Sequence, residues 1–192
     1  MDDIRKEKIY KREDYLKKIR GFYRDDMIKV ITGIRRCGKS YLLKSIIQEL
    51  LDSGVLEKDI IYIELDKKEY KDITTSKELE TVIDNFIKDD DFKYLFIDEV
   101  QNVNNFETLI NSYREEGNIS IFITGSNSYL LSGELVTKLT GRYVEIEMMT
   151  LSFYEYVDMK KFLNKSINDN IYLEFDEYIR NGGFPKSLYY DS

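Results

Sequence analysis

Met27-Ile-Lys-Val-Ile-Thr-Gly33-Ile-Arg-Arg-Cys-Gly38-Lys39-Ser40, followed by Leu42, Leu43, Ile46, Ile47, Leu50 and Leu51 at helical spacing, decides how this chain is read. A short apolar run, a glycine-bounded loop and an apolar stripe of period 3.6 predict strand, loop and helix in succession. The loop matches G-x-x-x-x-G-K-[ST] in the one context that gives the pattern physical meaning. Glycines let backbone N–H groups converge on an anion, and the positive end of the following helix adds to the attraction. Gly33, Ile34, Arg35, Arg36, Cys37 and Gly38 would therefore wrap a polyphosphate, with Tyr41 beside it. Lys39 would bridge its outer phosphates, and Ser40 would ligate Mg²⁺. Arg35 and Arg36 either add positive potential or pair with an acid. Cys37 reads as a small spacer or, alternatively, as a thiolate favoured by the same helix terminus.

Outward from this loop the pattern repeats. Ile60–Leu65 predicts a second strand, and Ser76-Lys-Glu-Leu-Glu opens a helix whose buried face is Leu79, Val82, Ile83, Phe86 and Ile87. Tyr94–Asp98 is a third strand and Phe106–Arg114 a helix. Ile119–Thr124 is a fourth strand, Leu130–Leu139 an interrupted helix, and Tyr143–Met148 an alternating fifth strand. Strands alternating with helices imply right-handed βαβ crossovers, hence an α/β fold with a parallel five-stranded sheet covered on both faces. From Leu151 onward the pattern is helical. Ahead of the first strand, Tyr15, Leu16, Ile19, Phe22 and Tyr23 form an apolar stripe on a basic amphipathic helix.

Asp98 ends the apolar run Tyr94-Leu-Phe-Ile and is followed by Glu99, the arrangement in which the first acid helps hold Mg²⁺ and the second polarises an attacking water. With no histidine in the chain, a carboxylate is the available base. Thr124-Gly-Ser-Asn127 brings polar groups to the carboxyl end of the fourth strand, where open α/β sheets bind ligands. Thr124 or Asn127 would read the terminal phosphate or orient the water; the other reading is a helix entry capped by Ser126 or Asn127. Arg142, just before the fifth strand, is either a structural ion pair or an arginine finger given to the site of a neighbouring copy, in a homo-oligomer.

Composition narrows the chemistry. The chain has 192 residues, 42% apolar and 34% charged, with one cysteine and no histidine. Those counts exclude a disulfide framework, a His/Cys zinc site and a histidine-activated nucleophile. No apolar run approaches the ~18 residues of a membrane span, and the first residues lack a signal-peptide core, so a cytoplasmic address and no membrane partner are expected. The net charge of −7 divides unevenly, residues 1–48 carrying +7. That basic end admits a nucleic-acid-binding reading in which nucleotide only gates the contact.

Taken together, the loop above, Phe96-Ile-Asp-Glu-Val-Gln101, Ile123-Thr-Gly-Ser-Asn-Ser128, Gly141-Arg-Tyr, Leu151-Ser-Phe-Tyr-Glu-Tyr156 and Gly182-Gly-Phe-Pro185 resemble a family. It is that of archaeal and bacterial AAA-type ATPases whose P-loop reads G-x-R-R-x-G-K and which continue into a C-terminal domain of poorly known function. The resemblance runs from about Arg12 to Leu188. It implies ATP as ligand, strand order 5-1-4-3-2, an ATPase core over residues 1–150 and the beginning of a helical lid over 151–192. Family members run on past Pro185, so this chain, ending at Ser192, implies a shortened lid, with Arg180 as a candidate second sensor. The implied function is Mg²⁺-dependent ATP binding and hydrolysis. A regulatory protein that binds ATP without turnover is the remaining alternative, disfavoured by Glu99.

Overall fold

The computed structural model describes residues 2–126, 139 and 141–189. Five parallel strands form the sheet: β1 (Ile28–Gly33), β2 (Ile60–Glu64), β3 (Lys93–Asp98), β4 (Ile119–Thr124) and β5 (Tyr143–Met148). Their order, β2-β3-β4-β1-β5, is the one the resemblance implies. Every residue of β1, β3 and β4 is buried, as a parallel sheet covered on both faces requires. Edge strand β5 instead shows the half-exposed alternation visible in its sequence.

Helices α1 (Asp2–Lys6), α2 (Glu13–Ile19) and α3 (Lys39–Asp52) cover one face, and α4 (Ser76–Phe86) and α5 (Phe106–Glu116) the other. Leu16 and Ile19 of α2 pack with Leu43, Ile46 and Ile47 of α3 against Ile31, Phe96 and Phe122. The Phe96 and Phe122 rings stack at 4.5 Å between centroids. On the other face Leu79 and Ile83 of α4 and Phe106 and Ile110 of α5 meet Ile63, Leu95 and Ile121. Phe86, expected among the buried residues of α4, is 43% exposed. Leu79 and Ile83 are fully buried, with Val82 and Ile87 partly buried against the same core. α4 begins in a capping box between Thr75 and Glu78, which satisfies two of the N–H groups every helix start leaves unpaired. α1 was not anticipated, and the expected helix Leu130–Leu139 lies outside the described residues except for Leu139, which is buried.

After β5 the chain forms α6 (Phe153–Phe162) and α7 (Ile171–Asn181), closed by a turn of 3-10 helix at Pro185–Tyr189. Leu151, Tyr156, Met159 and Leu188 form a small core of their own, to which Tyr10 from the N-terminal segment adds. Between α6 and α7 aromatic contacts of Phe153 and Tyr156 with Phe175 and Tyr178 are joined by an ionic one: Lys160 donates to the fully buried Glu174 at 2.5 Å.

Several charged residues of the N-terminal segment are paired with others of this chain. Arg20 binds Glu13 and Glu49, Lys44 binds Glu7, and Arg5 lies 3.5 Å from Glu57. Lys29, in the middle of β1's neighbourhood, is fully buried, with its Nζ donating to Ser120 Oγ at 2.7 Å and to the Asp25 carbonyl at 3.0 Å. The ring of Phe122 lies 4.7 Å from the same nitrogen.

Burial pushes the Lys29 ammonium down to about 8, against the opposing charges of Asp25 and Asp26. Between that value and the ordinary lysine value of 10.5 the unfolded chain keeps a proton the folded chain has shed, so this group's contribution to stability rises with pH across that window. The urea midpoint of the native protein, minus that of Lys29→Met, is expected to climb from pH 8 to pH 10. A constant difference would show that Lys29 keeps its charge inside the fold.

Candidate functional site

The loop after β1 has the backbone its sequence demands. Gly33 and Gly38 adopt φ of 149° and 109°, and a Cβ on Gly33 would stand 2.5 Å from the Met148 carbonyl and 2.8 Å from Cys37 Sγ. Only glycine fits there. Arg36 also takes a left-handed conformation, at φ 72°. Arg35 and Arg36 are exposed and form no ion pair among the described residues. Cys37 is fully buried, and burial pushes its thiol up, so the spacer reading stands and the thiolate reading falls.

Strand order carries Gly33, Asp98 and Thr124 to the same sheet edge, with β4 between β1 and β3. Thr124 is fully buried there. Its hydroxyl donates to Asp98 Oδ1 and accepts the Glu99 backbone N–H at 2.9 Å. Thr124 was expected to touch a nucleotide, but its hydroxyl is spent on holding the two acids. Asn127 lies outside the described residues.

Asp98 is 6% exposed and pairs with no cation among the described residues. Burial pushes its carboxyl up, while the hydroxyls of Ser40 and Thr124 favour the ionised form. A desolvated carboxylate beside a serine hydroxyl is an all-oxygen donor set that suits a hard divalent cation. The residues present therefore fit Mg²⁺. Among the described residues the one group of three acids close enough to share an ion, Asp59, Asp89 and Asp91, is already bridged by Lys58 and Lys93.

Glu99 follows in a left-handed conformation, φ 59°, that turns its side chain back toward the loop. Gln101 Nε2 donates to Glu99 Oε2, and Lys39 Nζ lies 3.9 Å from Oε1. Lys39 is 4% exposed and also donates to the Gly33 carbonyl at 3.1 Å and the Ile34 carbonyl at 3.4 Å.

Two cavities meet at these residues. The larger, about 390 Å³, has Lys39, Ser40, Arg36 and Glu99 at one end and Tyr10, Leu151, Met159, Pro185 and Tyr189 around the rest. The smaller, about 220 Å³, is polar and is lined by Arg35, Lys39, Asp66, Glu99, Gln101, Asn102 and Ser126. Ile34 and Tyr41 are about half exposed, Tyr41 in the wall of the larger cavity.

Arg142 does not join this group. It sits at the start of β5, where its backbone carbonyl accepts from Ile28, at the opposite end of β1 from the loop. Its guanidinium donates to Asn111 Oδ1 at 3.2 Å and lies 3.8 Å from Glu115. Arg180 is also away from the cavity, 81% exposed and facing Asp176, whereas Lys186 lines it.

Arg12 was read with the rest of the basic segment as part of a solvated or nucleic-acid-facing surface. It is 6% exposed, and all five of its N–H donors are used. Nε and NH2 grip Glu155 at 2.8 Å each; NH1 reaches the carbonyls of Cys37 and Met149, and NH2 also that of Thr150. Glu155 doubles as the capping-box acid of α6 with Ser152. One side chain thus ties the N-terminal segment, the phosphate loop, the exit from β5 and α6 together behind the larger cavity. Its signal in the sequence was absent because its partners are up to 143 residues away.

Residues 25–157 match the AAA domain family. The chain belongs to that family. A protein of Haemophilus influenzae described as uncharacterized is 38% identical over 182 residues, which are 94% of this chain and 45% of that protein. The chain spans less than half the length of the curated relatives it matches. Among solved structures, Thermotoga maritima RuvB superposes with a TM-score of 0.63 at 16% identity, over 96% of this chain and 63% of its own. AMPPCP-bound DnaA from Aquifex aeolicus gives 0.60 at 17% identity, over 94% and 60%. The AAA-type P-loop fold is thereby shown. No helix among the described residues is long and apolar enough to cross a membrane.

Removing Arg12 strands Glu155 and three carbonyls in a dry site, a change that typically costs about 3–5 kcal/mol. Arg12→Ala is expected to lose that much in denaturant unfolding. Arg12→Lys, with three donors and no fork, should recover only part of it. A loss below about 1 kcal/mol for Arg12→Ala would mean the cluster does not hold the wall.

Proposed function

We propose that this domain binds ATP with Mg²⁺ and hydrolyses it. What carries the reading is the convergence of Lys39, Ser40, Asp98 and Glu99 at one edge of the sheet, next to a cavity large enough for a nucleotide. The triphosphate lies along the loop from Gly33 to Gly38, with Lys39 released from the loop carbonyls onto its outer phosphates. Asp98 and Ser40 hold the metal, which supplies neutralisation of phosphate charge. The apolar wall of Tyr10, Leu151, Met159, Pro185 and Tyr189 takes the base, and Lys186 at its rim reaches toward the phosphates. In this reading α6 and the turn after α7 act as a lid, because Met159, Pro185 and Tyr189 supply part of that wall. That DnaA is AMPPCP-bound on the same fold agrees with ATP as ligand.

Glu99 acts as the base. The oxygen of a water forms a bond to the γ-phosphorus as the bond from that phosphorus to the β–γ bridging oxygen breaks, and one water proton passes to the Glu99 carboxylate. Electrostatic preorganisation by Lys39 and the loop N–H groups carries the developing charge.

Arg142, at the far end of the sheet and 44% exposed, cannot serve its own site; it serves the site of a second copy in a homo-oligomer. Nucleic-acid binding through the basic segment is not favoured, because Arg12 and Lys29 are buried and Arg5, Arg20 and Lys44 are paired with carboxylates of this chain.

Phosphate release from MgATP is expected to fall by about a hundred-fold or more in Glu99→Gln while labelled ATP still binds, and Lys39→Ala is expected to lose binding itself. Specific activity should rise with protein concentration, and Arg142→Ala should remove that rise without weakening ATP binding. Turnover that is indifferent to Glu99→Gln would sink the hydrolytic reading.

A further inference from the structure

Gln101 has one of its two amide groups assigned by its neighbour. A carboxylate only accepts, so the group facing Glu99 Oε2 is the NH₂, and Oε1 points the other way. That oxygen is shielded from solvent and has no hydrogen-bond partner among the described residues. Leaving a buried acceptor unmatched is unfavourable, and native structures rarely do so without a functional reason. Gln101 sits in the wall of the polar 220 Å³ cavity, which it shares with Glu99, Lys39 and Ser126.

A water that attacks phosphorus must aim a lone pair at it, so both of its O–H bonds need acceptors elsewhere. Glu99 provides one. At the end of β4, where sequence patterning suggested Thr124 or Asn127, the Thr124 hydroxyl already donates to Asp98 and accepts the Glu99 N–H, and Asn127 lies outside the described residues. We propose that Gln101 is a second catalytic residue, whose Oε1 accepts the other proton of the attacking water while its NH₂ keeps Glu99 in place. The transferred proton goes to Glu99; the one bonded to Gln101 stays on the oxygen and leaves with inorganic phosphate. This inference rests on the hydrolytic reading above.

The test compares phosphate release, KM for MgATP, binding of a non-hydrolysable ATP analogue and thermal midpoint in the native chain, Gln101→Met and Gln101→Glu. Gln101→Met keeps length and removes both polar atoms; kcat is expected to fall about ten- to a hundred-fold, with KM and analogue affinity within about twofold. Gln101→Glu restores an acceptor oxygen but loses the donor to Glu99. It should retain more turnover than Gln101→Met. If Gln101 served only as a donor to Glu99, Glu would do no better than Met, because it sets a like charge beside that carboxylate. Native turnover that survives Gln101→Met, or a loss that appears only in KM or the thermal midpoint, overturns the proposal and leaves hydrolysis standing. No turnover in the native chain overturns both.

Discussion

The Thr124 hydroxyl is the joint on which the site depends. In this sheet the strand that ends in the phosphate loop and the strand that ends in Asp98 are not neighbours; β4 runs between them. The acids must therefore be aimed across an intervening strand. Thr124 does this with one oxygen, donating to the Asp98 carboxylate and accepting the N–H of Glu99. The second bond also explains the left-handed Glu99 backbone. Such a conformation is unfavourable for a residue with a Cβ and persists where surrounding contacts over-determine it. Fixing the amide of Glu99 to β4 is one such contact, and the NH₂ of Gln101 on its carboxylate is another.

A second constraint shapes the other end of the cavity. The base-side wall is assembled from the N-terminal segment and from residues beyond β5, which are distant in sequence. Arg12 brings them together, and it does so with planar bidentate geometry that lysine cannot reproduce. Because the same guanidinium touches the Cys37 carbonyl, the phosphate loop and α6 share a support. Movement of the helices after Leu151 must then be felt at the loop. That coupling is a consequence of where the donors go, since a buried guanidinium cannot release one acceptor without leaving a donor unpaired.

Local chemistry was legible in the sequence, and long-range pairing was not. The phosphate loop, Asp98 and Glu99 could be found because each lies within a few residues of the strand or helix that positions it. The buried β3 and β4 keep the unbroken apolar runs Leu95-Phe-Ile97 and Ile121-Phe-Ile123 while β5 alternates, which is the difference between two interior strands and an edge strand. Strand order came from resemblance, since periodicity carries no information about neighbours. Arg12 and Lys29 look like ordinary members of a basic segment; what distinguishes them is burial against carbonyls and a serine contributed by other elements. Phe86 fails in the opposite direction, because helical period defines a face but not how wide a strip of it the sheet will cover. Arg180 was the candidate sensor because the resemblance implies an arginine in the lid, whereas the turn at Pro185 brings Lys186 to the cavity.

The state described has an internal logic of charge. Lys39 is held by two loop carbonyls and lies near Glu99, while Glu99 is held by Gln101, so the cation and the base of the site partly satisfy one another. Under the hydrolytic reading a polyphosphate would compete for Lys39 with far higher charge than Glu99 offers, and drawing Lys39 away would leave Glu99 with Gln101 as its side-chain partner. In that reading one binding event would part the cation of the site from its base and bring the phosphorus within reach. Asp98 is buried and pairs with no cation among the described residues; in the same reading a metal arriving with the nucleotide would give it one. Release of Lys39 and neutralisation of Asp98 would then both follow occupancy of the loop, so that the components of the proposed catalysis come together there.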